Sequence, residues 1–296
     1  MANNTAVHGF ELSPIVAGLW RIVDWNLSVQ ERVRWIEQAL ELGITSFDLA
    51  DIYGVYRAEG LFGEALKAAP NLRDRMQLVT KCGIRMRAPE KPYRITYYDT
   101  SAAYIRAQVE QSLRNLHTEQ LELVLIHRPD YLMDAAALAD TFAGLTREGK
   151  VAHWGVSNHS CNQFALLQQH HPLVTNQLEL SPLQMDVLDD GTLDQAQQFQ
   201  LRPMIWSPLA GGRLFTGDDE QALRVRAEMS AIAARYGISL TTLAFAWVLR
   251  HPCRPYPITG SGRMESVREA VAALDVNLEA EDWYAIWTAS KGHGVP

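Results

Sequence analysis

The chain has 296 residues, 47% apolar and 21% charged, with a formal net charge of -7. That length suits one α/β barrel and lies near the upper limit for one hydrophobic core, and the globular balance excludes a disordered or low-complexity chain. The negative charge argues against broad nucleic-acid binding, although a few local Arg and Lys side chains can still hold an anionic cofactor.

The opening MANNTAVHGFELSP has no apolar core behind a basic start, so no signal peptide is expected. No window approaches the roughly 18 apolar residues of a membrane span. Cys82, Cys161 and Cys253 are scattered and without a C-x-x-C, which indicates neither a zinc site nor a disulfide framework. A cytoplasmic protein with no membrane partner is expected.

Along the chain, short apolar runs alternate with amphipathic stretches. IVAGLW (15–20) reads as a strand. Ser28 and Glu31 are spaced as a capping box before a helix whose face is Val29, Val33, Ile36 and Leu40, and Gly43 sits at its C-terminal cap. ITSFD (44–48) is a strand, followed by a short helix over about 57–68. MQLVTKC (76–82) is a strand. After a long loop, Ser101 is placed to cap a helix with core face Ile105, Val109, Leu113 and Leu116. LELVLIH (121–127) is a strand. Asp134 opens a helix carrying Leu138, Phe142 and Leu145, closed by Gly149. VAHWGVS (151–157) is a strand, with a helix to about 170 and a solvated loop at His170 and His171. LVTNQ (173–177) is a strand, with a helix near 192–200. RPMIWSP (202–208) is a strand, followed by a glycine-rich loop and helices over about 220–236 and 239–251. PYPITG (255–260) is the last strand. Val267, Val271 and Leu274 mark the last barrel helix, and a helix near 279–291 is extra.

Continuous apolar strands separated by amphipathic helices predict a parallel sheet. Eight such units predict a TIM (β/α)₈ barrel, one domain over 1–296 with an extra C-terminal helix. A doubly wound open sheet is the alternative, weakened because the first strand leads into LWRIVDWN without G-x-G-x-x-G.

Barrel active sites lie at the C-terminal ends of the strands. The residues there are Trp20 and Arg21, Asp48, Lys81, His127, Ser157 with Asn158, Gln177, Trp206 with Ser207, and Gly260 with Ser261, with Tyr53 on the loop after Asp48. Singly, each has a bland reading: a cap, a snorkelling lysine, a hydrogen-bonded core histidine, a packed tyrosine. Together they fit carbonyl reduction, which needs a hydride on carbon and a proton on oxygen. A phenol of pKa about 10 is a weak acid. Lys81 is suited to stabilise a phenolate at Tyr53, Asp48 to hold that lysine charged, and His127 to donate to the carbonyl oxygen. No nucleophile–base pair and no metal cluster is visible in the sequence.

At these residues the sequence resembles the aldo-keto reductases, most closely their bacterial YdhF-like branch. FDLADIYG carries Asp48 and Tyr53, VTKCG carries Lys81, and LVLIHRPD carries His127. The likeness continues through GKVAHWGVSNH, TNQLELSPL, IWSPLAGGRLF and PITGSGRMESVREAV, in order over nearly the whole chain. It implies a tetrad of Asp48, Tyr53, Lys81 and His127, with NADP(H) extended across the barrel mouth beside Trp20 and Arg21. Ser157, Asn158 and Gln177 would hold the carboxamide, and Trp206 would stack on the nicotinamide. The loop Ser207, Pro208, Leu209, Gly211, Gly212, Arg213 and Leu214 would approach the pyrophosphate. Gly260, Ser261, Gly262, Arg263, Ser266 and Glu269 would hold the adenosine end.

Relatives commonly carry Arg where this chain has Ser266, and often Asn where it has Ala270. Arg263 is the nearest replacement for a 2′-phosphate clamp. The resemblance further implies a small carbonyl substrate and a monomer or weak homo-oligomer. Trp20, Tyr56, Arg128 and the long 84–100 loop, with Arg85, Arg87, Arg94, Tyr97 and Tyr98, are candidates to border the substrate pocket. Two alternatives stay open: an NADPH-binding regulatory sensor that keeps the tetrad, and an unrelated barrel hydrolase or isomerase.

Overall fold

The computed structural model describes residues 9–296; the signal-peptide reading of residues 1–8 lies outside them. The elements in chain order are β1 (Val16–Gly18), α1 (Val29–Glu41), β2 (Ser46–Asp48), the short turn α2 (Tyr53–Tyr56), α3 (Ala58–Ala68), β3 (Gln77–Cys82), β4 (Ile84–Arg85), β5 (Tyr97–Tyr98), α4 (Ala102–Asn115), β6 (Leu121–Ile126), α5 (Ala135–Arg147) and β7 (Val151–Ser157). They continue with α6 (Cys161–Gln168), β8 (Asn176–Glu179), α7 (Thr192–Gln198), β9 (Met204–Trp206), α8 (Arg213–Thr216), α9 (Glu220–Tyr236), α10 (Leu240–Leu249), β10 (Tyr256–Thr259), α11 (Met264–Ala272) and α12 (Ala280–Lys291). Among the described residues eight strands close a barrel in the order β1-β10-β9-β8-β7-β6-β3-β2, and every pair along it is parallel.

Side chains, not solvent, fill the barrel. Val16, Val79, Leu123, Leu125, Met204, Tyr256 and Ile258 form the inner cluster, with Leu12 and Val174 against it. Because strand side chains alternate, the intervening residues face outward and meet the helical ring. Phe47, Leu78, Val124 and Ile126 pack there on Phe62, Ile105 and Phe142.

Local signals set the helix ends. Ser28 and Glu31 form the expected capping box, and Asp134 accepts from the backbone N–H of Ala137 at 3.0 Å. Gly43 adopts φ 80°. Ser101 stands at the N-cap of α4 but its side chain makes no capping bond; its own N–H donates to Asp99 at 2.9 Å. The C-terminal α12 is bound to α10 by two parallel indoles, Trp247 and Trp283, each donating to the other's backbone carbonyl at 3.1 and 3.0 Å.

The structure departs from the sequence reading in three places. The regular part of β8 runs Asn176–Glu179, later than the 173–177 expected, because the polar residues Asn176, Gln177 and Glu179 continue the ladder toward the mouth. The 84–100 segment is a folded lobe rather than an open loop: β4 and β5 pair antiparallel, and Arg85 binds Asp99 at 2.6 Å and lies over the Tyr104 ring at 4.2 Å. His171 is half-buried, edge-on to Phe142 at 5.5 Å, not solvated.

Among the described residues no single helix is long and apolar enough to cross a membrane; α9 with α10 passes by length and composition only as a pair bent by 93°, and α10 is buried within the fold from Thr241 to Val248.

One close approach is a test of this packing. A Cβ on Gly63 of α3 would sit 1.8 Å from the Asn115 carbonyl oxygen at the end of α4. We expect Gly63→Ala to cost about 1–3 kcal/mol of unfolding free energy, the usual range for overpacking. Urea denaturation checks it, and an unchanged midpoint would refute this contact.

Candidate active site

β2 and β3 end side by side, with Asp48 registered against Val79, and this brings Asp48 and Lys81 together inside the barrel mouth. Lys81 is fully buried and Asp48 nearly so. The Lys81 ammonium donates to both Asp48 carboxylate oxygens at 2.8 Å and to the Leu49 carbonyl at 2.7 Å. It lies 3.2 Å from the Tyr53 phenol oxygen. From across the barrel, Gln177 Nε2 donates to Asp48 Oδ1 at 3.0 Å. Every charge in the cluster is therefore partnered, which a buried ion pair requires.

Tyr53 is presented by an unusual backbone. Gly54, Val55 and Tyr56 follow it with φ of 57°, 56° and 63°, all left-handed. For a β-branched residue such as Val55 this conformation costs on the order of 1–3 kcal/mol and persists only where surroundings impose it. Here Gly54 presses on Val23: a Cβ at Gly54 would lie 2.2 Å from that side chain. The Tyr56 hydroxyl donates to the Met86 carbonyl and accepts from the Met86 N–H, and Lys91 lies 4.2 Å over the Tyr56 ring. The folded lobe thus holds the turn that carries the phenol.

Electrostatics assign protonation states. Burial raises the Tyr53 pKa, and Lys81 pulls it back only in part, with Asp48 opposing; the phenol stays protonated at neutral pH. Burial alone would lower Lys81, but Asp48 and Tyr53 outweigh it and the net shift is upward, so the ammonium keeps its charge. Burial, then the Lys81 and Arg128 cations, hold His127 well below the usual histidine range. Its ring stands edge-on to Tyr53 with centroids 5.7 Å apart. Its Nδ1 is buried without a partner, so a neutral ring is best protonated on Nε2.

The neighbouring ends of β7, β8 and β9 are joined by hydrogen bonds. Trp206 Nε1 donates to Asn158 Oδ1 at 3.1 Å, Asn158 Nδ2 donates to Ser157 Oγ at 2.7 Å, and Ser157 Oγ donates to the Gln177 carbonyl at 3.1 Å. Trp206, Asn158, Ser157 and Gln177 therefore form one chain leading to Asp48. Beyond it, Ser207, Ala210, Gly211 and Gly212 all have positive φ. Added Cβ atoms at Gly211, Gly212 and Gly260 would meet nothing within 4 Å, so the backbone there borders open space. That geometry admits the close approach of an anion. Arg21 reaches over from the β1 loop to the Gly211 carbonyl at 3.3 Å. Its guanidinium lies 5.2 Å over Trp20, itself 57% exposed. Arg263 Nη2 donates to Ser266 Oγ at 3.2 Å at the start of α11, and Ser261 Oγ accepts from the Arg263 N–H.

Two expected contributors have other contacts in the structure. Arg213 is paired with Asp219 at 2.6 Å and hydrogen-bonded to Gln221, so its charge is already used. The Leu214 side chain belongs to the core, leaving only its backbone for a ligand. Ala270, where relatives often carry Asn, is a fully buried residue of α11. Sequence reading missed the Leu49 carbonyl, and it missed Glu179, whose signal is its place two residues beyond Gln177 on the same side of β8. It also missed the buried acids Asp51 and Glu59. Burial raises both pKa values, with each other's proximity adding at Asp51, and Glu59 accepts from Thr80 at 2.7 Å and Asn115 at 3.0 Å.

A closed parallel barrel with a Lys–Asp pair and a tyrosine at its mouth is the architecture of the aldo-keto reductases. The aldo/keto reductase family model matches residues 14–291. Oxidoreductase YdhF of Escherichia coli is 50% identical over 98% of both chains. A 6-dehydroglucose reductase of Agrobacterium fabrum is 42% identical over 96% of both. The structure of a glycerol dehydrogenase from Gluconobacter oxydans superposes with a TM-score of 0.84 at 25% identity, over 97% of this chain and 94% of that one. The chain belongs to the aldo/keto reductase family and is an oxidoreductase.

The ion pair yields a stability test. Lys81→Met strands a buried carboxylate and is expected to cost about 3–5 kcal/mol. Adding Asp48→Asn should recover most of the loss, whereas Tyr53→Phe alone should stay within about 1 kcal/mol. Chemical denaturation of the four proteins measures this; equal stability of Lys81→Met and wild type would refute the buried pair.

Proposed function

We propose that the protein reduces small aldehydes or ketones to alcohols with NADPH, acting as a single domain in the cytoplasm. The observation that carries this reading is the protonated Tyr53 phenol 3.2 Å from a charged, fully buried Lys81. When bound, the reduced nicotinamide supplies the hydride. The Ser157, Asn158 and Gln177 amide and hydroxyl groups are suited to its carboxamide, and the Trp206 ring to its face. The uncrowded glycine backbone at Gly211, Gly212 and Gly260 is suited to the close approach of a pyrophosphate.

The remaining work falls to the chain's own side chains. His127, neutral and donating from Nε2, orients the carbonyl oxygen over the phenol. Tyr53 passes its proton to that oxygen as negative charge develops there. Lys81 stabilises the phenolate left behind, and Asp48 keeps the ammonium in place. At the adenosine end, Arg263 and Ser266 converge at the N-terminus of α11, where a guanidinium, a hydroxyl and the helix dipole all favour a 2′-phosphate. That a relative acts on 6-dehydroglucose supports a carbonyl substrate rather than another oxidisable group.

Three measurements test this reading. Tyr53→Phe should lower kcat by about 10²–10⁴-fold, the usual worth of general-acid catalysis, with NADPH affinity by fluorescence titration little changed; near-normal turnover would refute the acid. The kcat/KM for reduction should stay level from about pH 6 to pH 9. It should show no inflection at an ordinary histidine pKa, because His127 is held neutral, and should fall only as rising pH removes the Tyr53 proton. A drop centred near pH 6.5 would contradict these protonation states. Finally, Arg263→Ala should reduce the ratio of kcat/KM for NADPH over NADH by about tenfold or more, and equal use of both cofactors by the wild type would mean that the clamp is lost.

A further inference from the structure

Two charged side chains at the mouth are used by neither the tetrad nor the cofactor cradle. Arg128 follows His127 directly and is half-buried. Among the described residues its guanidinium has no hydrogen bond and no ion pair; it stands 5.8 Å over the Trp206 ring. Arg128 therefore extends from the end of β6 to the end of β9, past the intervening β7 and β8. Trp206 is itself pinned by Asn158, so the guanidinium has a fixed support.

Glu179 is the second. It ends β8, registered against Trp206, and shares a side of the strand with Gln177, which points at Asp48. It too is half-buried, with no hydrogen bond or ion pair among the described residues. Arg128 and Glu179 are close enough to act on each other electrostatically, and Arg128 also acts, as a minor contributor, on Tyr53 and His127. Yet they do not close into a salt bridge, although a direct pair would relieve part of the desolvation of both.

A separated fork of donors and a carboxylate acceptor, both at the barrel mouth and the first within the field of the reacting centre, is complementary to groups that donate and accept at once. Hydroxyls do so. An anionic substrate would satisfy Arg128 and be repelled by Glu179. An aliphatic or aromatic one would bury both charges without partners. We propose that Arg128 and Glu179 are specificity-determining residues that bind hydroxyl groups next to the reacting carbonyl, and that the substrate is a polyhydroxylated aldehyde or ketone of the sugar class. This inference rests on the carbonyl-reductase reading of Tyr53.

The test compares glyceraldehyde with propanal, which differ only in hydroxyls, and succinic semialdehyde with butanal, which differ by a carboxylate. Steady-state NADPH oxidation is followed for wild type, Arg128→Met, Arg128→Lys and Glu179→Gln. Wild type should favour glyceraldehyde over propanal in kcat/KM by at least tenfold. Arg128→Met should reduce that ratio at least tenfold, chiefly through KM. Arg128→Lys, which keeps the charge but loses the fork, should restore only part of it, and Glu179→Gln should reduce it as well. A ratio that Arg128→Met leaves unchanged would overturn the proposal. So would a wild-type preference for succinic semialdehyde that Arg128→Met abolishes and Glu179→Gln enhances, the mark of an anion site. If wild type oxidises NADPH with none of the four aldehydes, it is the carbonyl-reductase reading itself that fails.

Discussion

A lysine ammonium buried to complete exclusion of solvent is the constraint around which the mouth of this barrel is organised. Desolvating such a charge costs several kcal/mol unless every proton finds an acceptor. Asp48 from β2, the Leu49 carbonyl beyond it and the phenol of Tyr53 meet that demand. Gln177 from the opposite wall then meets the remaining need of Asp48. Three strands, β2, β3 and β8, are thereby tied across the mouth through one carboxylate. The same bonds that offset the burial set the protonation states. A charged lysine lies beside a phenol that burial keeps protonated, and burial, reinforced by the lysine's field, holds the nearby imidazole neutral.

Much of this was legible in the residues. Continuous apolar strands and amphipathic helices follow from burial on both faces and on one face, so the barrel class could be read without coordinates. Asp48, Lys81 and His127 were legible for the same reason: each is a polar residue ending an apolar run. Tyr53 was less so, because its place depends on three left-handed residues, and nothing in Val55 or Tyr56 announces a positive φ. Only Gly54 carries that signal. The hairpin of β4 and β5 was illegible because its order comes from nonlocal partners, Tyr56 with Met86 and Arg85 with Tyr104, rather than from an apolar period. Arg213 has a neighbour that the sequence position did not announce. Its sequence position beside the glycines is right, but Asp219, six residues on, takes its charge.

The elements that carry chemistry differ from those that carry selectivity. The proton donor's partners lie on β2, β3, β6 and β8, whose backbones the closed ladder fixes. The acids beneath them reinforce this: Glu59 bonds Thr80 of β3 and Asn115 of α4, joining strand to helix behind the lysine. Several of the groups proposed to face cofactor and substrate, by contrast, sit one or more residues past a strand end. Arg21, Arg128, Gly211 and Arg263 are of this kind, and Arg21 and Arg263 are solvent-exposed. A substitution in this outer ring changes which ligand is held without disturbing the ladder. At α11, Ser266 and Ala270 stand where relatives commonly carry Arg and Asn: Ala270 is sealed in the core, so an asparagine there would bury an amide, and in the proposed reading the phosphate-binding role falls to the exposed Arg263. An exposed arginine must lose rotamer freedom on binding, which costs affinity that a pre-set one keeps. Its bond to Ser266 is the device that limits this loss, holding the guanidinium at the helix start before any ligand arrives.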